Sequence, residues 1–256
     1  MAINFKILVK KLVKNFFNYF NIDLVFKRNN KMIVDLRELE NFNQNLYNLS
    51  REKSNSSFSD NDYKKLRFNF LEVFLEDFIN KKKTFNDFVE CGCWKGQSTY
   101  IIASLIKKAR LNIKFNVFDS FEGLSDFCDV DKSKIKNQSH QDKLSKYFKS
   151  DLDVLRNNTL QEFDFINYYK GWIPEKFVEI KDKTFSFIHI DVDLYQPTYD
   201  SINFFYPRLE KGGIIICDDY NSSLFPGAKK AFDEYLEDKN YSNLIKIPTG
   251  GICLIK

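Results

Sequence analysis

From Phe85 to the end of the chain, short apolar runs alternate with longer segments of helical periodicity. This alternation is typical of a parallel sheet that helices cover on both faces, because each strand of such a sheet is buried on both sides. The predicted strands are 87–91, 113–119, 165–169, 185–191, 213–217, 244–248 and 251–255, and the predicted helices between them are 98–108, 143–157, 197–208 and 227–237. Only a tight turn at Thr249, Gly250 and Gly251 joins the last two strands. The pattern therefore predicts a doubly wound, mostly parallel α/β sheet that ends in an antiparallel hairpin.

The N-terminal segment has a different pattern. Apolar residues from Phe5 to Phe20 recur at helical spacing with lysines between them, which predicts an amphipathic and basic helix within residues 1–29. Such a helix could attach to a membrane surface or to a partner helix, or it could pack on its own domain or across a dimer. The short basic face favours packing, and the oligomeric state stays open.

A polar, turn-rich stretch at 54–62 separates this segment from a helix predicted at 63–79. The stretch marks a join between two parts of the chain. The sequence therefore predicts an N-terminal helical arm, residues 1–60, and a main domain, residues 61–256.

The composition excludes several classes of protein. The net charge of +4 comes from 39 Lys+Arg and 35 Asp+Glu spread along the chain, whereas a nucleic-acid-binding protein usually has a concentrated basic stripe. Five cysteines without a C-x-x-C pair and only two histidines argue against a disulfide framework and a structural zinc site, and they favour a reducing cytoplasm. The apolar stretch 16–26 is interrupted by polar residues and is shorter than the roughly 20 residues that span a bilayer. No small-residue cleavage site accompanies it, so we expect a cytoplasmic protein.

Glycines and an acid follow the first two predicted strands. In an open α/β sheet, ligands bind beyond the carboxyl ends of the strands. Gly92 and Gly96 let the backbone pass close to a ligand, and the helix that follows offers unpaired N–H groups, although an ordinary strand–helix turn would look the same. Asp119 closes the second strand and can accept the hydroxyls of a ribose. Trp94 stands where a dinucleotide-binding loop has glycine, so we expect a nucleoside-containing cofactor rather than a dehydrogenase site.

Two further strand ends carry four acids, Asp191, Asp193, Asp218 and Asp219. No compensating arginine or histidine is nearby in the sequence, and His189 is interpreted as a satisfied core histidine. Clustered carboxylates repel one another, and a hard divalent cation bound through oxygen ligands is the usual remedy. As an alternative, the acids could cap the helices that follow, but capping would employ only one or two of them. The four acids therefore predict a metal site.

Five segments of the chain resemble the macrocin O-methyltransferase (TylF) family: DFVECGCWKGQS, VFDSFEGL, KGWIPEKF, FIHIDVDLYQPTYDSINFFYPRLEKGGIIICDDY and PGAKKAFDEY. The resemblance covers residues 86–256, and its most specific part is the pair of motifs IDVDLY and DDY. Residues 1 to 80 do not resemble the family's usual N-terminal lid. The family consists of S-adenosylmethionine- and Mg²⁺-dependent enzymes that methylate sugar hydroxyls, so the resemblance implies a class I methyltransferase fold.

The resemblance also implies a role for each matching position. The cofactor-binding residues would be Glu90, Gly92, Gly96, Ser98, Asp119, Ser120, Gly171 and Trp172. The Mg²⁺ ligands would be Asp191, Asp218 and Asp219, and the general base would be Asp193. This division agrees with the chemistry, since a metal can bind neighbouring hydroxyls of a sugar while a carboxylate that is not a ligand takes the proton.

We therefore expect an enzyme that methylates a hydroxyl of a small-molecule sugar. The bias toward Phe, Lys, Asn and Ile, typical of an AT-rich genome, favours a bacterial surface-glycan pathway, in which the acceptor would be a nucleotide-linked sugar such as GDP-heptose for capsule synthesis. Lys95, Lys229 and Lys230 lie close to strand ends in the sequence and are expected to bind the diphosphate. Two alternatives stay open: a catechol-type phenol O-methyltransferase, and a non-catalytic scaffold whose arm binds a membrane or a partner.

Overall fold

The computed structural model describes residues 43–56, 60–133 and 135–256, together with two short strands that precede them, β1 (Lys27–Arg28) and β2 (Lys31–Met32). It divides the chain into two compact units, Met1–Phe42 and Asn43–Lys256. In the first unit, β1 and β2 pair antiparallel. The amphipathic helix predicted at positions 5–20 lies outside the described residues.

The second unit contains seven helices and seven strands among its described residues. The helices are α1 (Gln44–Lys53), α2 (Asp62–Lys81), α3 (Gln97–Lys108), α4 (Gln138–Tyr147), α5 (Leu152–Val154), α6 (Tyr195–Arg208) and α7 (Pro226–Leu236). The strands are β3 (Asp87–Cys91), β4 (Phe115–Asp119), β5 (Ile166–Lys170), β6 (Phe185–Ile190), β7 (Leu209–Cys217), β8 (Asn243–Lys246) and β9 (Ile252–Ile255). Single 3₁₀ turns lie at Asp131–Ser133 and Phe177–Ile180, and a π turn at Leu155–Thr159 follows α5. None of the described helices combines the length and the apolarity needed to cross a bilayer.

The seven strands of this unit form one sheet in the order β5-β4-β3-β6-β7-β9-β8. Neighbours from β5 to β7 are parallel, whereas β9 is antiparallel to both β7 and β8. The order switches direction between β3 and β6, which is where an open α/β sheet forms its ligand crevice. The prediction of a doubly wound α/β sheet with a C-terminal antiparallel hairpin is confirmed.

Aromatic side chains fill much of the space between the sheet and the helices. The ring of Phe118 on β4 lies 4.4 Å from that of Tyr169 and 5.0 Å from that of Phe177, measured between centroids. Phe205 of α6 packs on both phenylalanines. Burial of a phenylalanine side chain contributes roughly 1.5–3 kcal/mol. The aromatic excess of the sequence therefore serves the core.

One predicted helix is wrong. The sequence pattern predicts a continuous helix over 143–157, whereas α4 and α5 are separate. The break occurs because Asp151 caps α5, and its carboxylate accepts the backbone N–H of Val154 at 3.1 Å. Just before this cap, the backbone N–H of Ser150 donates to the carbonyl of Phe121 at 3.3 Å, which draws the connecting segment toward the loop after β4.

Helix α1 belongs to the second unit, although it precedes the boundary that the sequence places at residue 60. Tyr47 of α1 is 1% exposed, and its ring centroid lies 6.0 Å from that of Phe68 on α2. At the end of α1, the carbonyl of Lys53 accepts a hydrogen bond from Thr159 Oγ1 at 3.1 Å. These contacts join residues that are distant in the sequence, so a change of composition along the chain does not reveal them.

Candidate functional site

A cavity of about 480 Å³ opens at the carboxyl ends of β3, β4, β6 and β7, with α2 and α4 contributing to its walls. Most residues predicted for the site line this cavity: Gly92, Ser98, Asp119, Ser120, Trp172, Asp191, Asp193, Asp218 and Asp219. The predicted residues Glu90, Gly96 and Gly171 are not among its lining residues. The structure therefore brings the proposed cofactor loop and the acidic strand ends together.

The loop after β3 approaches the end of β6 closely. Gly92 has a φ of +82°, and a Cβ at this position would lie 2.0 Å from the carbonyl oxygen of Asp191. Gly96 has a φ of +83°, and its Cβ would lie 2.4 Å from Leu155 Cδ1 of the π turn. Both positions need glycine. Gly92 allows the loop to lie against the end of β6. Gly96 allows the start of α3 to lie against the π turn.

Asp119 fastens this loop to the end of β4. Its carboxylate accepts three backbone N–H groups, from Cys93 at 2.8 Å, Trp94 at 2.9 Å and Phe121 at 2.7 Å. Burial raises the pKa of Asp119, and the three hydrogen bonds act against that rise. The carbonyl of Asp119 accepts the N–H of Gly171 at 3.1 Å. Contact of this carboxylate with a ribose stays a prediction.

Glu90 lies behind the cavity wall, and its carboxylate is engaged within the protein. Its Oε1 is 2.9 Å from His189 Nδ1, and its Oε2 accepts the hydroxyl of Thr99 at 2.5 Å. The role in direct cofactor contact that the resemblance implied does not fit this placement. Glu90 instead positions His189.

His189 is fully buried, and both of its ring nitrogens are partnered, as expected for a core histidine. Nε2 lies 3.1 Å from Asp218 Oδ2, opposite the contact with Glu90. Burial disfavours the charged ring, but Asp218 and Glu90 outweigh burial and raise the pKa of His189 to about 10. His189 is therefore a cation at neutral pH that has no lone pair to offer a metal ion.

Arg67 of α2 reaches the same acids and is the functional residue that the sequence did not indicate. Its Nη2 donates to Asp191 Oδ2 at 2.5 Å, and its Nε donates to Asp218 Oδ2 at 2.7 Å. The acids lack a compensating arginine nearby in the sequence, but the fold supplies one from a distant part of the chain. The local sequence contains no signal, because Arg67 follows Lys64 and Lys65 in the same polar and apolar mixture and lies far from the acids along the chain.

The four acids nevertheless repel one another, and the nearby cations do not keep all of them in the ionised form. Burial works against the ionised form of Asp218, but Arg67 and His189 outweigh it and hold the pKa of Asp218 below its usual value. For Asp193, burial and then the charge of Asp191 raise the pKa to about 8. Burial and the charge of Asp193 likewise raise the pKa of Asp219 well above its usual value. Arg67 and His189, the two cations of the described residues that contact these acids directly, are thus outnumbered by the four carboxyl groups.

This donor set fits a divalent cation. His189, Asp191 and Asp218 each offer an atom within 4.8 Å of those of the others. Because the nitrogens of His189 are occupied, the carboxylate oxygens are the available donors, and Asp219 adds another at the same strand end. Clustered carboxyl oxygens that repel one another without a metal ion are a donor set that suits Mg²⁺.

Asp193 lies in a strained turn that Asp219 holds in place. The backbone N–H of Asp193 donates to Asp219 Oδ2 at 3.1 Å, and Asp193 has a φ of +59°. A left-handed conformation in a residue other than glycine costs on the order of 1 kcal/mol and is enriched at functional sites. The turn places Asp193 in the cavity wall beside the proposed metal ligands.

Gln97, in the first turn of α3, lines the cavity with an unpaired amide. Its residue surface is only 5% exposed, and neither Oε1 nor Nε2 has a hydrogen-bond partner among the described residues. Buried amides are nearly always hydrogen-bonded, so this side chain indicates a polar ligand in the cavity. The predicted cofactor residue Ser98 follows it directly.

The remaining walls are largely apolar. The rings of Trp94 and Tyr147 lie 5.6 Å apart, and Leu144, Leu224 and Phe225 complete this surface.

The lysines expected to bind a diphosphate are placed elsewhere. Lys229 and Lys230 are not among the residues that line the cavity; they form ion pairs with Asp233 and Glu234 along α7. Lys95 is also not among the lining residues. Lys64 of α2 does line it.

The model of the macrocin-O-methyltransferase (TylF) family matches residues 8–254 of the chain. The chain is 27% identical over 154 residues to the demethyldecarbamoylnovobiocin O-methyltransferase of Streptomyces niveus, covering 58% of this chain and 57% of that protein. It is also 27% identical over 142 residues to the 8-demethyl-8-(2,3-dimethoxy-alpha-L-rhamnosyl)-tetracenomycin-C 4'-O-methyltransferase of Streptomyces olivaceus, covering 52% of each. The chain spans about half the length of these curated relatives.

Among solved structures, the O-methyltransferase NovP superposes on the chain with a TM-score of 0.63. The two are 23% identical, and the superposition covers 81% of this chain and 88% of that one. This likeness shows the class I methyltransferase fold.

Proposed function

Because the chain belongs to the macrocin-O-methyltransferase (TylF) family, we propose that it is an Mg²⁺-dependent enzyme that transfers a methyl group from S-adenosylmethionine to a sugar hydroxyl. The observation that carries this proposal is the single cavity shared by the loop after β3 and the acids after β6 and β7. The name of the relative from Streptomyces olivaceus, which specifies a rhamnosyl group, supports a sugar acceptor.

The loop after β3 and the start of α3 would hold the methyl donor. S-adenosylmethionine supplies a methyl group on a sulfonium sulfur, which a nucleophilic oxygen can accept. The first turn of α3 has unpaired backbone N–H groups that suit a carboxylate. The amide of Gln97 can donate to that carboxylate and accept from the neighbouring ammonium group. Asp119 and Trp172 would contact the nucleoside.

Asp191, Asp218 and Asp219 would hold the metal ion, and Asp193 would act as the general base. A bound divalent cation stabilises negative charge on an acceptor oxygen. Asp193 lines the cavity and is the carboxyl group that this assignment leaves free of the metal, so it can remove the proton of the acceptor hydroxyl. The hydrogen bond from its backbone to Asp219 holds it next to the metal ligands.

For the acceptor, we propose a nucleotide-linked sugar, with GDP-heptose for capsule synthesis as the first candidate. Lys64 supplies a cation in the cavity wall for an anionic group, although burial lowers its pKa to about 8. The apolar surface around Trp94 and Tyr147 suits a base or another flat apolar group. The same surface would suit a catechol, so the experiment includes both classes.

A mass-spectrometric assay of acceptor panels tests this function. The full chain is incubated with S-adenosylmethionine and Mg²⁺ together with nucleotide sugars, glycosylated natural products or simple catechols. We expect one added methyl group on a sugar-containing acceptor and negligible turnover of catechols. Methylation of catechols alone would contradict the proposal of a sugar acceptor. Absence of methyl transfer to every acceptor would contradict the proposal that the protein is a methyltransferase.

Replacement of Gln97 by leucine is expected to raise the dissociation constant of S-adenosylhomocysteine by about 10- to 100-fold. The reason is the loss of hydrogen bonds to charged groups of the ligand. Binding can be followed by tryptophan fluorescence, because both tryptophans of the chain, Trp94 and Trp172, line the cavity.

Gln141 provides the matched control for this experiment. It is equally buried, but its Nε2 already donates to the carbonyl of Ile135 at 2.8 Å. Gln141→Leu should therefore lower the melting temperature without changing ligand affinity, whereas Gln97→Leu should change affinity without lowering the melting temperature. Equal ligand affinity in Gln97→Leu and the wild type would show that the amide does not contact the methyl donor.

A further inference from the structure

We propose that Arg67 and a divalent cation are alternative occupants of the space between Asp191 and Asp218, so that Arg67 leaves these carboxylates when the metal ion binds. The proposal rests on the metal site of the proposed function. It makes Arg67 a positioning residue that holds the acids together until the metal is bound.

The geometry of the carboxylates carries the proposal. Asp191 Oδ2 and Asp218 Oδ2 converge on one guanidinium group, at 2.5 and 2.7 Å. A cation of Mg²⁺ size binds oxygen at about 2.0–2.1 Å, so ligation by the same two oxygens would place it against the guanidinium. Two positive groups cannot share that position without strong repulsion.

Of the two cations at Asp218, Arg67 is the one that can leave. Asp218 Oδ2 already faces both Arg67 Nε and His189 Nε2, which uses its two lone pairs. His189 is fully buried and held at its other nitrogen by Glu90. The side chain of Arg67, in contrast, is 28% exposed on a long flexible stem at the cavity wall. Metal binding should therefore displace Arg67 and leave His189 in place.

The position of Arg67 also explains how the acids remain ordered before a metal ion binds. Removal of its charge would leave Asp191 and Asp218 facing each other, with His189 in contact with Asp218 and Lys64 acting on Asp191 through its charge alone. Such a pair repels and attracts a divalent cation more strongly. Arg67 thus limits metal affinity while it keeps the ligands in place.

Metal binding by Arg67→Gln tests the proposal without any turnover. Mn²⁺ serves as the probe, and its binding to the full chain is measured by electron paramagnetic resonance in the absence of methyl donor and acceptor. We expect Arg67→Gln to bind Mn²⁺ at least about tenfold more tightly than the wild type, because no charged hydrogen bonds must be broken first. Arg67→Lys should fall between them, since lysine cannot bridge two carboxylates with a planar fork.

Lys81→Gln is the control, because it removes the same charge from an exposed ion pair on the same helix. Its Mn²⁺ affinity should equal that of the wild type. Unchanged or weaker binding by Arg67→Gln would overturn the proposal and leave the metal site standing. If neither protein binds Mn²⁺ stoichiometrically, the metal site of the proposed function fails together with this proposal.

A second measurement on the wild type guards against a variant that folds poorly. Phenylglyoxal modifies exposed guanidinium groups, and peptide mass spectrometry locates the modified arginine. We expect Arg67 to react several-fold faster in Mg²⁺ than in EDTA, whereas the exposed Arg110 should react at one rate in both. Equal rates for Arg67 in the two conditions would mean that the metal does not displace it.

Discussion

Asp193→Asn is expected to lower the kcat of methyl transfer by about 10²- to 10⁴-fold, the usual effect of losing a general base. Asparagine has nearly the same shape and tolerates the left-handed conformation that Asp193 adopts, with its φ of +59°. The backbone hydrogen bond to Asp219 Oδ2 can therefore persist. The dissociation constants of the methyl donor and of Mn²⁺ should change little, so the loss should be confined to kcat.

The matched control for this variant is Asp126→Asn. Asp126 is exposed in the loop that follows β4, next to Ser125 of the cavity wall, and it is not among the lining residues. The same chemical change there should leave kcat unaltered. An unchanged kcat in Asp193→Asn itself would mean that another group accepts the proton.

The sequence predicted the fold well because each central strand is an apolar run with clear limits. The bounds of β3 match those predicted, and the strands on either side differ by a few residues at their ends. The failure at 143–157 has a local cause, since Asp151 fits a helix interior in the sequence but acts as a cap in the structure. A polar residue can either continue a helix or cap a new one, and tertiary contacts determine which role it takes.

The sequence could predict only those site residues that directly follow a strand end. Residues after consecutive parallel strands converge by topology, which is why the glycine loop and the acids line one cavity. The contact between Arg67 and Asp191 joins residues 124 positions apart, and strand ends alone do not reveal it. The ion pair between Lys229 and Asp233, by contrast, could be predicted from the sequence, because Asp233 lies four residues further along the same helix.

Removal of divalent metal ions with EDTA is expected to abolish methyl transfer, and Mg²⁺ is expected to restore it. The physical reason is that burial and then the mutual repulsion of the clustered acids raise the pKa values of Asp193 and Asp219, and a divalent cation would relieve that repulsion. Activity is measured on the full chain after exhaustive chelation and again after addition of excess Mg²⁺. Full activity in a rigorously metal-free preparation would contradict the metal requirement.

Asp219→Asn tests the proposed metal ligands separately from the proposed cofactor loop. The variant removes one charge, and its amide oxygen can still accept the backbone N–H of Asp193, so the turn is preserved. We expect Mn²⁺ affinity to fall by at least about tenfold. The affinity for S-adenosylhomocysteine, followed by the fluorescence of Trp94 and Trp172, should stay that of the wild type, because the cofactor loop follows β3 rather than β7. A parallel loss of both affinities would show that Asp219 supports the whole cavity and is not specifically a metal ligand.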